Sequence, residues 1–168
     1  DRHFPGAVQM TFIEPYPDRL RRLLTEEERG TVHLLEQKVQ DVPVAVFEAL
    51  QEGDLLFIDS THIVKSGSDV CFELFEVLPR LRRGVTVHFH DIFFPFEYPP
   101  DWALDQNRSW NEAHALRAFL IGNEDFEVVF FNDFFRRRFP QEASDPTLVF
   151  GRNSGGSTGS TSMIIQSG

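Results

Sequence analysis

The chain has 168 residues, a length that predicts one domain, residues 1–168, with a single hydrophobic core. Its 26 acidic and 16 basic side chains give a formal net charge of -10, which repels phosphate backbones and anionic lipid. Nucleic acid and membrane surfaces are therefore not expected as partners. A single cysteine, no secretory pattern and no apolar run of roughly 20 residues predict a cytoplasmic protein without a membrane span.

The first quarter of the sequence predicts a strand, a helix and a second strand. The apolar-rich segment 7–13 predicts a strand that ends at Glu14, before two prolines. A single helix is then expected, with Asp18 as its N-cap and Gly30 as the left-handed residue that ends it. Residues 32–35 predict the second strand.

Two more strands follow, and each ends at polar residues. Asp41 precedes a short predicted helix, after which the wholly apolar strand 55–58 stops at Asp59. Residues 68–84 predict the strongest helix of the chain, with apolar side chains at helical spacing. The fourth strand, 85–89, stops at a histidine and an aspartate.

The last part of the chain predicts a loop, a helix and two strands. Residues 92–102 form an aromatic and proline-rich loop, and Ser109 with Glu112 predicts a capping box in front of a helix. A fifth strand is expected at 126–131. The Gly/Ser-rich stretch 151–160 is interpreted as a loop before a short last strand.

Strands that alternate with helices predict an α/β fold. Right-handed crossovers then give a Rossmann-like, doubly wound and mainly parallel sheet, covered by helices on both faces as a three-layer sandwich. The last strand, around residues 163–165, is expected to run antiparallel at an edge of this sheet.

Glu14 is the first candidate for function, because ligands of open α/β sheets bind beyond the carboxyl ends of the strands. An acidic side chain at this point can accept both hydroxyl protons of a ribose, although it can also simply cap a turn. Only Gly6 lies upstream, so the Gly-rich phosphate-binding pattern is absent. A pyrophosphate-containing dinucleotide is therefore not expected.

Asp59, His62, His90 and Asp91 are the second candidate group. Asp59 ends an apolar strand and requires water, a donor or a cation as its partner. If the third and fourth strands are neighbours, the other three side chains lie close to it. Two carboxylates and an imidazole suit a divalent cation, Mg²⁺ if oxygen ligands dominate and Zn²⁺ or Mn²⁺ if imidazoles join. Carboxylates at strand ends can also be purely structural.

Several stretches resemble the class I S-adenosylmethionine-dependent methyltransferases, and within them the group labelled methyltransferase family 24. The resemblance covers most of the chain, from about Val8 to Ile165, and the third and fourth stretches are the specific ones. The stretches are FIEPYP at 12–17, VQD at 39–41, GDLLFIDSTH at 53–62 and VHFHDIF at 87–93. The tail at 155–157 is similar to the turn before the last strand of that family.

The resemblance implies an S-adenosylmethionine site. Glu14 would hold the cofactor ribose, Asp41 or its neighbours would approach the adenine, and Asp59 would complete the cofactor-binding set. In the related cation-dependent O-methyltransferases, carboxylates after the fourth and fifth strands hold a divalent metal. Asp59 and Asp91 stand at those positions, with His90 as a further ligand.

The resemblance also implies a reaction. The metal would orient an acceptor hydroxyl and lower its pKa, while His62, beside Asp59, takes the proton as the oxygen attacks the sulfonium methyl group. We expect the acceptor to be a small hydroxylated metabolite, such as a sugar or a polyketide. The aromatic residues 93–98 and Trp102 are candidates for its pocket wall, or for ordinary core packing.

One departure from the family affects these expectations. The family opens with a strand and a Gly-rich loop that cradle the methionine part of the cofactor, and this sequence begins after them. That strand normally lies between the strands at 7–13 and 55–58, so two inner edges are expected to be unpaired. We expect these two strand edges to pair with each other or with a strand of another chain, as in a homo-oligomer. Alternatively, the sequence represents a fragment. In either case this chain alone is expected to be an incomplete enzyme.

Two other functions fit the same residues. One is a non-catalytic, Rossmann-like binding or assembly module that has lost cofactor binding. The other is a metal-dependent hydroxylase or hydrolase that uses Asp59, His62, His90 and Asp91 without S-adenosylmethionine.

Overall fold

The computed structural model describes residues 8–144 and 161–168, and in them strands and helices alternate as predicted. The strands are β1 Thr11–Ile13, β2 His33–Leu35, β3 Leu55–Ile58, β4 Thr86–His90, β5 Phe126–Phe131 and β6 Ser162–Ser167. The α-helices are α1 Asp18–Leu23, α2 Glu26–Arg29, α3 Ala45–Glu48, α4 Asp69–Phe72, α5 Pro100–Leu104, α6 Glu112–Leu120 and α7 Asn132–Arg138. The predicted Gly/Ser-rich loop at 151–160 lies outside the described residues. The chain divides into two compact units, Asp1–Pro43 and Val44–Gly168.

The first unit holds a parallel pair of strands, β1 and β2, in which Thr11 pairs with His33. The single helix predicted after Asp18 is two helices, because Thr25 starts a new one. The Thr25 side chain accepts a hydrogen bond from the Glu28 backbone, and the Glu28 side chain accepts one from the Thr25 backbone. This reciprocal cap stops α1 and begins α2. Gly30 has a φ of -79°, so the predicted left-handed helix end is wrong.

The second unit is built on a four-stranded sheet in the order β3-β4-β6-β5. β3 and β4 are parallel, and β6 runs antiparallel between β4 and β5. The prediction of an antiparallel last strand is confirmed, but its position at the edge is wrong. β6 hydrogen-bonds on both sides, and β5 takes the outer position instead. β3, β4 and β5 run in the same direction, so parallel strands predominate in this sheet.

One face of this sheet carries the hydrophobic core. Ile58, Phe89 and Met163 are paired neighbours across three strands, and all three are buried. Their side chains join a single cluster with residues of α4 and α6, namely Val70, Ala113 and Leu116, and with Leu74 and Leu78, which follow α4. Burial of such side chains stabilises the fold by about 1.5–3 kcal/mol each.

α7 lies on the opposite face of the sheet, where the Phe135 ring packs on Phe130 of β5 at 5.5 Å between centroids. Phe130 pairs with Ile164, which pairs with His88, so these side chains share that face. Helices therefore pack on both faces of the four-stranded sheet, as the Rossmann-like α/β prediction requires. Towards β3 this face is open, and Phe57 is 52% exposed.

The segment after Ser68 begins as the predicted helix and then changes pitch. The Ser68 hydroxyl accepts a hydrogen bond from the Cys71 backbone and caps α4. The chain continues as a π-helical turn, Glu73–Val77, and ends in a 3₁₀ turn, Leu78–Arg80. No helix in the described part of the chain is long and apolar enough to cross a membrane.

Candidate functional site

The carboxyl ends of β3 and β4 bring the predicted polar side chains together. The two strands pair in register, with Ile58 opposite Phe89, so Asp59 and His90 follow at the same edge of the sheet. The His90 Nδ1 atom lies 3.5 Å from Asp59 Oδ1 and 3.4 Å from Asp91 Oδ1. The sequence prediction that these three residues converge is therefore met in the structure.

Behind Asp59 lies His62, whose ring is almost entirely buried. Its Nε2 atom is 3.7 Å from Asp59 Oδ1, and its Nδ1 atom is 2.6 Å from Glu112 Oε2. The side chain of Asp59 is 57% exposed, that of His62 6% and that of Glu112 1%. The three side chains thus form a carboxylate–imidazole–carboxylate chain that runs from the surface into the core.

Glu112 has a different role from the one that its sequence context predicts. α6 begins at Glu112 itself, and its N-cap is Asn111, with no side-chain capping bond, so the predicted capping box with Ser109 is wrong. Instead the Glu112 side chain is buried against His62 and also accepts a hydrogen bond from the Ser60 hydroxyl at 3.1 Å. His62 and Glu112 are 50 residues apart in sequence, so no local sequence pattern indicates their contact.

Two residues of the site have backbone angles in the left-handed region, where non-glycine residues are uncommon. His62 has a φ of 59° and Asp91 a φ of 54°. Neighbouring backbone contacts fix both: Asn111 donates its N–H to the His62 carbonyl, and Asp91 donates its own to the Thr161 carbonyl at 2.7 Å. Residues held in this region are concentrated at functional sites.

The electrostatics of the site favour a charged imidazole at the strand end. The Asp91 hydrogen bond raises the pKa of His90 above its usual value, against the opposing effect of burial, and the charges of Asp91, Asp59 and Glu112 add to the rise. Deeper in the second unit, burial raises the pKa of Glu73 to about 8, with further contributions from Glu112 and Asp69.

The predicted metal site is not supported. In residues 8–144 and 161–168, no group of three or more histidine, cysteine or acidic side chains is arranged to hold a metal ion. Asp59, His90 and Asp91 are neighbours, but the His90 Nδ1 atom faces both carboxylates as an ion-pair partner. The raised pKa of His90 favours a protonated ring between the two carboxylates, in the place where the sequence interpretation put a cation.

An aromatic cluster lies beside His62. The Trp110 ring is tilted against the His62 ring with 4.0 Å between centroids, and it meets Trp102 edge-on at 5.2 Å. Tyr98 contacts Trp110 at 5.7 Å, and the Arg108 guanidinium lies over both tryptophan rings. Tyr98 and Trp102 of the predicted aromatic set therefore lie near the imidazole, together with Trp110, which the sequence interpretation did not include; their role as an acceptor-pocket wall stays a prediction.

Two clefts among the described residues lie away from Asp59, His62, His90 and Asp91. One of about 560 Å³ is bounded by the aromatic loop and α7, including Phe94, Tyr98 and Arg136. The other, about 450 Å³, belongs to the first unit and is lined by Arg21, Arg22 and other residues. Neither is lined by the strand-end residues.

The remaining two predicted residues belong to the first unit. Glu14 follows β1, and its backbone N–H donates to the Leu35 carbonyl at the end of β2. Its Oε1 atom accepts a hydrogen bond from the Tyr16 backbone at 2.8 Å, which holds the carboxylate at the strand end. Asp41 ends a 3₁₀ turn, Val39–Asp41, and is exposed.

These features define a Rossmann-like α/β protein with polar side chains at the carboxyl ends of its parallel strands, where this class binds ligands. Residues 3–92, just over half of the sequence, match the model of a family described as a methyltransferase domain. The chain belongs to this family, methyltransferase family 24, among the class I S-adenosylmethionine-dependent methyltransferases.

Methyl transfer from S-adenosylmethionine is the general activity of this family. No curated protein matches the sequence. Among solved structures, a crystal structure of a protein from Corynebacterium glutamicum is similar to 95% of this chain, with a TM-score of 0.39 and 16% sequence identity. The chain spans 61% of that protein's length.

Proposed function

We propose that the protein transfers a methyl group to the hydroxyl oxygen of a small metabolite. The observation that carries the proposal is the contact between Asp59 and His62 at the end of β3. One carboxylate reaches the surface, and an imidazole lies directly behind it, which is the pairing that general-base removal of a hydroxyl proton requires. The aromatic rings beside His62 support an acceptor with a flat or ring-shaped face.

The acceptor meets Asp59 first, because His62 is buried. The Asp59 carboxylate accepts a hydrogen bond from the acceptor hydroxyl and orients its oxygen. As the oxygen becomes nucleophilic, its proton passes through Asp59 to the Nε2 atom of His62, 3.7 Å away. Bound S-adenosylmethionine supplies a methyl group that is already activated on a sulfonium. The residues of this chain therefore contribute positioning and proton removal.

Glu14 is proposed to bind the cofactor ribose. A carboxylate that directly follows a strand can accept both ribose hydroxyl protons, and the Tyr16 backbone holds this one in place. Asp41 is proposed to lie near the adenine. Both assignments come from the family resemblance, and the position of Glu14 at the end of β1 supports the first of them.

The proposed reaction includes no metal-dependent step. The His90 imidazole, whose pKa is raised, faces the carboxylates of both Asp59 and Asp91 and, when protonated, offsets part of their negative charge. We therefore expect methyl transfer to continue when EDTA is present.

Two measurements test the proposal. Calorimetric titration with S-adenosylhomocysteine should show binding that Glu14→Ala weakens, and Glu26→Ala, an exposed carboxylate in α2, is the control. Transfer of a tritiated methyl group from S-adenosylmethionine to a panel of sugars, phenols and polyketides should identify the acceptor class. Asp59→Asn should reduce the transfer rate at least about 10²-fold, the usual contribution of general-base catalysis.

The alternatives give different results. A binding module would take up neither S-adenosylhomocysteine nor a methyl group. A metal-dependent hydroxylase or hydrolase would bind Mn²⁺ or Zn²⁺ through the cluster of Asp59, His62, His90 and Asp91, and its activity would disappear in EDTA.

A further inference from the structure

Glu112 contacts the ring nitrogen of His62 that faces away from Asp59. Its Oε2 atom lies 2.6 Å from His62 Nδ1, and the carboxylate is 1% exposed. In this buried setting a carboxylate accepts hydrogen bonds and donates none when ionised. In the neutral imidazole, one nitrogen carries a proton and the other carries a lone pair. With Glu112 ionised, the contact requires the proton of neutral His62 to be on Nδ1.

The carboxylate and the ring are both held in place. The Ser60 hydroxyl donates to Glu112 Oε1, and the Ser60 oxygen accepts the backbone N–H of His62. The backbone N–H groups of Asn111 and Glu112 donate to the His62 carbonyl at 3.0 and 3.2 Å. Trp110 covers one side of the ring. The loop after β3 is thus bound to the start of α6 through both the side chain and the backbone carbonyl of His62.

We propose that Glu112 is a positioning residue that sets the proton arrangement of His62 for catalysis, an inference that rests on the proposed function. By accepting the Nδ1 hydrogen, Glu112 leaves the Nε2 lone pair directed at Asp59. When the proton of the acceptor hydroxyl arrives at Nε2, His62 becomes an imidazolium, and the adjacent Glu112 carboxylate stabilises its charge. The acceptor oxygen keeps the electron pair with which it attacks the methyl carbon, and the electron pair of the breaking methyl–sulfur bond would go to sulfur, which leaves as the thioether of S-adenosylhomocysteine.

The proton arrangement can be measured in the full chain without substrate. Two-bond ¹H–¹⁵N correlation spectra of neutral His62 distinguish a ring protonated on Nδ1 from one protonated on Nε2, and His62→Asn assigns the signal. We expect the Nδ1 form in the natural protein. In Glu112→Met, which has a similar volume and no carboxylate, Nδ1 loses its acceptor, and the ring should instead donate from Nε2 to Asp59.

Methyl transfer gives the second measurement. Glu112→Met should lower kcat at least about 10²-fold while KM for S-adenosylmethionine stays within a few fold. Glu112→Gln keeps a carbonyl oxygen that can accept the Nδ1 hydrogen, so it should restore part of the Nδ1 signal and part of the rate. Glu73→Gln is the matched control. Glu73 is also buried, but its raised pKa keeps it protonated near neutral pH, and the amide is a close substitute.

The outcomes separate this inference from the proposed function. An Nε2-protonated ring in the natural protein, or an unchanged ring in Glu112→Met, overturns the role of Glu112. So does Glu112→Met transferring methyl groups at the natural rate. If the natural protein transfers no methyl group to any acceptor while the ring shows the predicted proton arrangement, the proposed function fails and the effect of Glu112 on His62 stands.

Discussion

Glu73 is a buried carboxyl group whose Oε2 atom has no hydrogen-bond partner among the described residues. Burial raises its pKa from 4.5 to about 8, so between these values the folded protein holds a proton that the unfolded chain releases. The free energy of unfolding therefore falls as pH rises from about 4.5 to about 8, by up to about 1.4 kcal/mol per pH unit from this group. Above that window the contribution is constant.

We expect Glu73→Gln to remove this part of the pH dependence. Urea denaturation at pH 5, 6, 7 and 8 should show a flatter stability profile than that of the natural protein. Glu76→Gln is the control, because Glu76 lies on the same turn but is half exposed and paired with Arg80. Equal slopes in all three proteins would contradict the assignment of a protonated Glu73.

Single residues also show what the sequence can and cannot predict about the site. Asp59, His90 and Asp91 could be found because each lies at the end of a strand whose apolar run is visible in the sequence. Glu112 could not be found in this way. Its local pattern favours a helix cap, and only the packing of α6 against the loop after β3 turns its side chain inward to His62.

The turn that leads into β4 depends on Gly84. Its carbonyl accepts a hydrogen bond from the Gly53 backbone, and its N–H donates to Ser167 of β6, so it connects three strand regions. Gly84 has a φ of 83°, and a Cβ placed there would lie 2.6 Å from the Glu52 Cγ atom and 3.2 Å from its Cα atom. An added side chain meets both a strained backbone and its neighbour.

Gly84→Ala is expected to lower the free energy of unfolding by more than about 1–2 kcal/mol, the usual penalty for a left-handed L-residue. Gly122→Ala separates strain from crowding, since Gly122 has a φ of 70° but open space where its Cβ would lie. Chemical denaturation should rank the two variants with Gly84→Ala less stable. If both substitutions lower the free energy of unfolding by the same amount, crowding against Glu52 does not contribute to the destabilisation by Gly84→Ala.

Some helix and strand boundaries could be predicted from the sequence, and others could not. β3 and β5 have the predicted bounds, because continuous apolar runs with polar ends mark them in the sequence. The predicted helix after Asp18 divides because the Thr25 cap competes with its continuation. The helix after Ser68 keeps its predicted start but changes to a π turn at Glu73, where tertiary packing determines the pitch.

The outer edge of β3 is a candidate surface for self-association of the whole molecule. In the described residues β3 has a strand partner on one side only, β4, and its Leu55 and Phe57 side chains are 57% and 52% exposed. An apolar strand with an unpaired edge is a template for pairing with another chain. Self-association of this protein, which the sequence predicts, remains a prediction that these side chains make testable.

We expect sedimentation equilibrium to show an average mass that rises with protein concentration. Phe57→Lys places a charge beside the open edge and should reduce this rise. Phe75→Lys is the matched control, because Phe75 is 57% exposed but lies on a helical turn. A constant monomer mass in the natural protein would contradict the prediction, as would equal effects of the two substitutions.

Both tryptophans of the chain, Trp102 and Trp110, lie in the aromatic cluster beside His62. The intrinsic indole fluorescence of the protein therefore reports on this corner of the second unit and on no other region. An emission change during unfolding or ligand addition will record the aromatic cluster opening or tightening around the imidazole. Optical studies of the natural chain can thus observe the proposed site directly, without an added dye.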